Sequence, residues 1–482
     1  MVEEAPPIET MLAQAPKINA ERLKCEADER FDDLIGERRK TVRTLLEEAF
    51  SDKIKKLCED AAGRPIVEGD PPVPVPSVPI RFRATTVASP AHDVFGEAVN
   101  NVFQRMLSRG APPEFAHWFA YWYAFELDCE LGNLWSNQVF SPAVYSTDGT
   151  IEASKMFIEK IFEFAQKVLL RTKNDEPKLR EKWSGIYVSA DQLKGRRSKQ
   201  EDRFVAYPSG QYVDHSMDPP ALLGVFDGHG GAECSNYAAA HLWEEWSRAR
   251  LTFDGYLKES LSSAIANLDA RMTKRIEVEH WKGGTTAVCC AIDVEEKKMV
   301  FAWLGDSAGY VLNNIEVRRI TRAHSPDDPD EAKRVEAAGG QIFSICGENR
   351  VNGVLNLTRA LGDVNGRPMI LNEPEVQELD IEDNDYLVIL ACDGISEVFD
   401  TRQLYDIVEA FVKENNVEEY GDLADHICRE ALDAGSQDNL TCVIGFLKDP
   451  NELWELMRAN SDSDTDGRGT DVEQDSYESE EA

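Results

Sequence analysis

A mixed α and β domain behind a helical N-terminal region is the fold class that this 482-residue chain predicts. Three apolar runs, Leu222–Phe226, Val300–Gly305 and Leu387–Cys392, each stop on an aspartate: Asp227, Asp306 and Asp393. Runs of this length, rich in β-branched and aromatic residues, read as strands covered on both faces. From about Gly185 such strands alternate with amphipathic helical stretches, the pattern of a mixed domain. Before that point Glu, Lys and Leu recur at helical spacing.

Helical spacing first appears over residues 19–62, as in Thr41–Phe50. The Pro-rich segment Asp70–Pro79 follows. Proline lacks the amide donor and clashes with the preceding turn, so this segment predicts an extended connector, near 64–90. A second helical region centres on Phe115–Phe125 and a third runs over 151–170. The aromatic block of the second reads as core, with a partner surface as the alternative. Residues 1–180 thus predict a mainly helical interaction domain.

Residues 181–450 predict the mixed domain. Its helices are expected over 231–247, 254–279, 401–414 and 418–434, and its strands include 203–207 and the closing run Leu440–Phe446. From 458 to 482 the chain is Ser, Asp, Glu and Gly, which predicts a disordered acidic tail. Ser461, Ser463, Ser476 and Ser479 offer an acid-directed kinase its setting; a solubilising tail is the plainer reading.

The formal charge of −36 argues against nucleic acid or anionic membrane as partners, because both reward clustered Lys and Arg. Residues Met1–Pro7 have neither the basic nor the apolar region of a signal peptide, and no stretch approaches the roughly 20 apolar residues that span a bilayer. A cytoplasmic protein is expected, with the nucleus left open. The ten cysteines form no CxxC pair, and Cys289, Cys290, Cys392 and Cys442 lie in strand-like runs. They read as reduced core thiols rather than zinc ligands.

Two further acidic stations stand at strand boundaries: Glu201-Asp202 before Arg203–Tyr207, and Asp438-Asn439 before the final strand. Each alone is a turn or cap residue. Five together predict a metal site, since clustered carboxylates repel and need cations. Hard oxygens without a Cys and His cluster select Mg²⁺ or Mn²⁺. Two such ions roughly 3.5–4 Å apart can share a carboxylate, acidify a water and steady phosphoryl oxygens. Gly228 lets its own carbonyl approach an ion. His229 can protonate a leaving alkoxide, or can be an ordinary turn histidine. Arg197 can hold a phosphate dianion by a bidentate contact. Cys58 and Arg64 have the spacing of a cysteine-dependent phosphatase loop, but Glu59-Asp60 between them would repel phosphate, and no Walker A sequence appears.

Arg197–Asp202, Asp227–Gly231, Gly284–Ala287, Gly305–Ser307, Thr358–Asp363, Cys392–Gly394 and Ser436–Asn439 occur in one order. Over residues 185–448 this set resembles the PPM family of metal-dependent serine/threonine phosphatases. The resemblance implies an α+β fold with a central antiparallel β-sandwich flanked by helices and two Mg²⁺ or Mn²⁺ ions in a cleft at one end. It implies that Asp227 bridges both ions, that the Gly228 carbonyl serves one, and that Glu201, Asp393 and Asp438 serve the other. Asp202 would act through water, Arg197 would bind phosphate and His229 would be the acid. Asp306 would join Asp393 at a weaker third site.

Two positions depart from the family pattern. Ala308 stands where Arg is usual after Gly-Asp-Ser, which removes a structural ion pair. Glu397 stands where Asp is usual, and its longer side chain leaves the third site open to question. Residues 325–367 match the family's variable flap, where Arg350 could meet substrate or simply be a solvated loop arginine. The N-terminal extension and acidic tail resemble the family's nematode sex-determination branch. That resemblance implies promotion of male development in a complex with an ankyrin-repeat protein and a third sex-determination protein, linked to a cullin ubiquitin ligase. A calmodulin-kinase phosphatase branch and a scaffold with vestigial activity are the alternatives.

Overall fold

The computed structural model describes residues 186–208 and 220–466, and ahead of them Ser89–Pro90, Val99, Val102, Phe103, Ala120 and Thr150–Ile151. The chain divides into two compact units, Met1–Ser184 with Gly210–Pro219 and Gly185–Ser209 with Pro220–Ala482. In the first, Ser89–Pro90 pairs antiparallel with Thr150–Ile151, and Val99, Val102, Phe103 and Ala120 are buried. Otherwise the expected helical domain and its Pro-rich connector lie outside the described residues.

The second unit contains ten principal strands: β1 (Tyr187–Leu193), β2 (Arg203–Tyr207), β3 (Ala221–Phe226), β4 (Ala287–Asp293), β5 (Lys298–Leu304), β6 (Ala308–Asn313), β7 (Val317–Arg319), β8 (Glu375–Asp380), β9 (Asp385–Ala391) and β10 (Leu440–Phe446). Its longer helices are α1 (Glu233–Thr252), α2 (Leu257–Glu279), α3 (Pro329–Ala337), α4 (Thr401–Glu414), α5 (Leu423–Asp433) and α6 (Pro450–Asp466), and a single helical turn spans Asp393–Ser396. One sheet has the order β7-β6-β9-β10-β1 and the other β8-β5-β4-β3-β2, with every pairing antiparallel. β10 and β9 lie across β3, so the sheets face each other. Helices α1 and α2 cover one sheet, and α4 and α5 the other. The expected antiparallel sandwich flanked by helices is borne out.

The apolar runs form strands because both of their faces are covered. Leu222, Leu223, Val225 and Phe226 of β3 are fully buried, as are Leu387–Leu390 of β9. Each such side chain contributes about 1.5–3 kcal/mol of transfer free energy. Helix α4 has its expected bounds, whereas α5 begins at Leu423 rather than 418, after the 3-10 turn Val417–Asp422; α4 opens on a capping box in which Asp400 and Gln403 satisfy each other's backbone amides.

The expected tail is shortened by α6, which continues past 458 to Asp466. Leu453, Trp454 and Met457 are buried, Trp454 Nε1 donates to the Asn415 carbonyl at 3.0 Å, and Arg458 donates to the carbonyls of Val412 and Asn415. These contacts satisfy the carboxyl end of α4, which a reading of composition alone does not reveal. The tail from 467 onward lies outside the described residues.

Candidate metal and phosphate site

Strand direction alone gathers the acidic stations. Because neighbours are antiparallel, the carboxyl ends of β3, β5 and β9 and the amino ends of β2, β6 and β10 share one end of the sandwich. Asp227 follows β3, Asp306 lies between β5 and β6, and Asp393 follows β9 by two residues. Arg203 pairs with Phe226, so Asp202 and Asp227 are set side by side. Across the two sheets, Asp227, Cys392 and Asp393 bring ligand atoms within 4.8 Å of one another. Thr441 of β10 donates to Asp202 at 2.7 Å and ties the sheets together at this edge.

The backbone around Asp227 is held from both sides. Its amide donates to Thr286 Oγ1 at 3.1 Å, and its carbonyl accepts from the Thr285 hydroxyl and the Thr286 amide, both at 2.9 Å. Gly228 admits no side chain, since a Cβ there would stand 2.5 Å from the Glu201 carbonyl oxygen and 2.7 Å from Ser235 Oγ. Glu201 is placed by Asn439, whose Oδ1 accepts the Glu201 amide at 2.8 Å while its Nδ2 donates to the carbonyls of Lys194 and Lys199. One asparagine thus moors the loop that carries Arg197 and Glu201. Arg197, with 60% of its side chain exposed, donates to Asp438 at 2.5 Å.

Charge in this edge is strained. Loss of hydration, and then repulsion from Asp202, Asp393 and Asp306, raises the Asp227 carboxyl well above the usual range. Asp393 is raised by lost hydration and by Asp306, Asp438 and Glu397. Burial pushes Asp202 up to about 6, against hydrogen bonds from Thr441 and Cys392 that favour its charged form. Asp306 and the exposed Glu397 move the same way, each first through lost hydration. Among the described residues Asp393 Oδ1 is buried with no hydrogen-bond partner. Repelling carboxylates and an orphaned acceptor oxygen together suit divalent cations with hard-oxygen preference.

Glu201, Asp202, Asp227, Gly228, Asp306, Asp393 and Asp438 therefore share one end of the fold. Arg350 sits on the hairpin Ile342–Ile345/Glu348–Val351, paired with Glu348 at 2.5 Å and donating to the Val354 carbonyl at 2.8 Å. Two neighbours escaped the sequence reading. Cys392 joins the carboxylates although its strand position marks it as core, and Asp363 meets His229, with Oδ2 2.6 Å from Nε2. The run Thr358–Asp363 carried the only signal for Asp363.

Comparison with known proteins identifies the family. The family described as protein phosphatase 2C matches residues 186–440, more than half of the chain. The chain belongs to the protein phosphatase 2C family. This membership makes it a protein serine/threonine phosphatase. "Protein phosphatase fem-2" of Caenorhabditis elegans is 53% identical to this phosphatase over 456 residues, covering 94% of this chain and 100% of that protein. Human "Protein phosphatase 1F" is 31% identical over 290 residues, 59% of this chain and 62% of that protein. A solved "Structure of a C.elegans sex determining protein" aligns with TM-score 0.72 at 52% identity, over 87% of this chain and 98% of that one. A serine-threonine phosphatase 2C from Toxoplasma gondii aligns with TM-score 0.50 at 20% identity, over 56% and 96%, and shares the fold. Among the described residues no helix is long and apolar enough to cross a membrane.

Proposed function

We propose that this phosphatase hydrolyses phosphoserine and phosphothreonine in proteins at a pair of Mg²⁺ or Mn²⁺ ions. The observation that carries this reading is the raising of buried Asp227, first by lost hydration and then by the charges of Asp202, Asp393 and Asp306, beside the unpartnered Asp393 Oδ1. Asp227, Glu201, Asp393, Asp438 and the Gly228 carbonyl would hold the ions, with Asp202 acting through water and Asp306 reserved for a weaker third ion. Bound there, divalent cations supply an acidified water and neutralise phosphoryl charge. Arg197, exposed at the rim and anchored to Asp438, takes the phosphate oxygens by its guanidinium fork. His229 gives a proton to the departing seryl or threonyl oxygen, which would otherwise leave as a strongly basic alkoxide.

The physiological part of the proposal is a role in nematode-type sex determination, supported by 53% identity to fem-2 across that protein's whole length. An ankyrin-repeat partner and a cullin ubiquitin ligase complete that proposal, with residues 1–180 as the interaction domain. The enzymatic part is tested with a phosphothreonine peptide. Turnover that needs Mn²⁺ or Mg²⁺ and disappears in Asp227→Ala is expected; turnover unaffected by chelation, or retained in that variant, would overturn it.

A further inference from the structure

His229 and Asp363 meet through three two-residue strands. Leu361–Gly362 pairs with Gly284–Thr285, which pairs with Gly228–His229, and both Gly362 and His229 stand opposite Gly284. The Asp363 carboxylate crosses above Gly284, where a Cβ would lie 2.4 Å from Asp363 Oδ2. Any side chain at 284 would close that path. Asp363 itself holds a left-handed φ of 41°, a region where aspartate is enriched among non-glycine residues. Just before it, the Gly362 amide donates at 2.9 Å to the buried Asp269, whose carboxylate also accepts from Arg367 and Asn372 at 2.7 Å. Backbone pairing and a separate buried network thus fix where the Asp363 carboxylate points. Only 8% of its side chain is exposed, and it lies 2.6 Å from His229 Nε2.

We propose that Asp363 is the positioning residue for proton delivery to the leaving group. A carboxylate can only accept, so it takes the Nε2–H of His229, fixes the tautomer and direction of the ring, and leaves Nδ1 as the nitrogen that faces substrate. This rests on His229 being the acid. As the phosphorus–oxygen ester bond breaks, its electron pair goes to the seryl or threonyl oxygen. The Nδ1–H bond of the imidazolium breaks and an O–H bond forms on that oxygen. The ring remains neutral with Nε2–H still on Asp363, water supplies the oxygen entering phosphate, and solvent restores the proton.

The test compares two substrates on the full chain with Mn²⁺: a phosphothreonine peptide, whose alkoxide needs a proton, and p-nitrophenyl phosphate, whose phenolate leaves without one. Asp363→Gly suits the left-handed backbone while removing the carboxylate. The ratio of kcat on peptide to kcat on p-nitrophenyl phosphate is expected to fall about tenfold or more in Asp363→Gly and in His229→Ala. The double variant should lose no more than His229→Ala. An equal loss on both substrates in Asp363→Gly, including complete inactivity, would make the residue merely structural and overturn the inference. An unchanged ratio in Asp363→Gly beside a lowered one in His229→Ala would overturn the inference alone. An unchanged ratio in His229→Ala would overturn the acid role itself, and the inference with it.

Discussion

Glu331 on α3 and Asp227 at the end of β3 are both dehydrated acids, and their surroundings differ in sign. Glu331 accepts from Arg359 at 2.6 Å, Arg334 at 2.9 Å and the Thr358 hydroxyl at 2.6 Å. Against the opposing effect of burial, these partners hold its carboxyl down at about 2. Asp227 faces Asp202, Asp393 and Asp306, and its carboxyl is raised. The first cluster completes its charge within the chain and anchors the flap helix to the segment leading to Asp363. The second leaves its charge to be completed from outside. A fold tolerates that imbalance where a cation is to be bound, and the contrast separates the working acids from the structural ones.

The largest effect should come from the incomplete cluster. Asp227→Ala is expected to lower phosphopeptide turnover by about a thousandfold or more while the protein still unfolds cooperatively, because the lost group serves ions rather than the core. Glu331→Ala should do the reverse. Leaving Arg359 and Arg334 without their acid is expected to cost about 3–5 kcal/mol, read by denaturant unfolding, while Mn²⁺ binding persists.

Acid should reach the completed cluster in two steps. Burial, with the Arg359 charge nearby, lowers His324 to about 4, below its unfolded value near 6.5. The unfolded chain therefore binds the extra proton first, and stability falls as pH drops from about 6.5 to about 4. Glu331 is also lowered, so the stability it contributes is present above about 4.5 and is lost as pH falls toward about 2, by up to roughly 3 kcal/mol. Glu331→Gln should flatten the second step of a melting-temperature profile and extend the first to lower pH, because the Glu331 charge helps to raise His324. The smallest effect is expected at Arg350, which is occupied by Glu348 and the Val354 carbonyl. Arg350→Ala should change kcat/KM on a phosphothreonine peptide by less than about threefold; a much larger loss would bring Arg350 into the site.

Much of the contrast is legible in the sequence. The strands ending on Asp227, Asp306 and Asp393 announce themselves because both faces of each run are apolar, and the antiparallel order of the sheets brings their ends together. The pairing of Asp363 with His229 is not legible. It depends on two-residue strands whose partners lie far apart in the chain, and such short pieces carry no periodicity. Nor does the sequence reveal that Asn439 moors the Arg197–Glu201 loop by three hydrogen bonds. Its neighbour Asp438 carried the signal. Helix α6 was hidden for a different reason: acidic composition suggests a tail, while Trp454 and Arg458 hold it to the end of α4.

The central claim is that the carboxylates around Asp227 are completed by divalent cations. Calorimetric titration of the metal-free full chain with Mn²⁺ tests it most directly. Saturable binding in the parent that is lost in Asp227→Ala and kept in Glu331→Ala is the expected result. Absence of binding in the parent, or equal binding in Asp227→Ala, would contradict it.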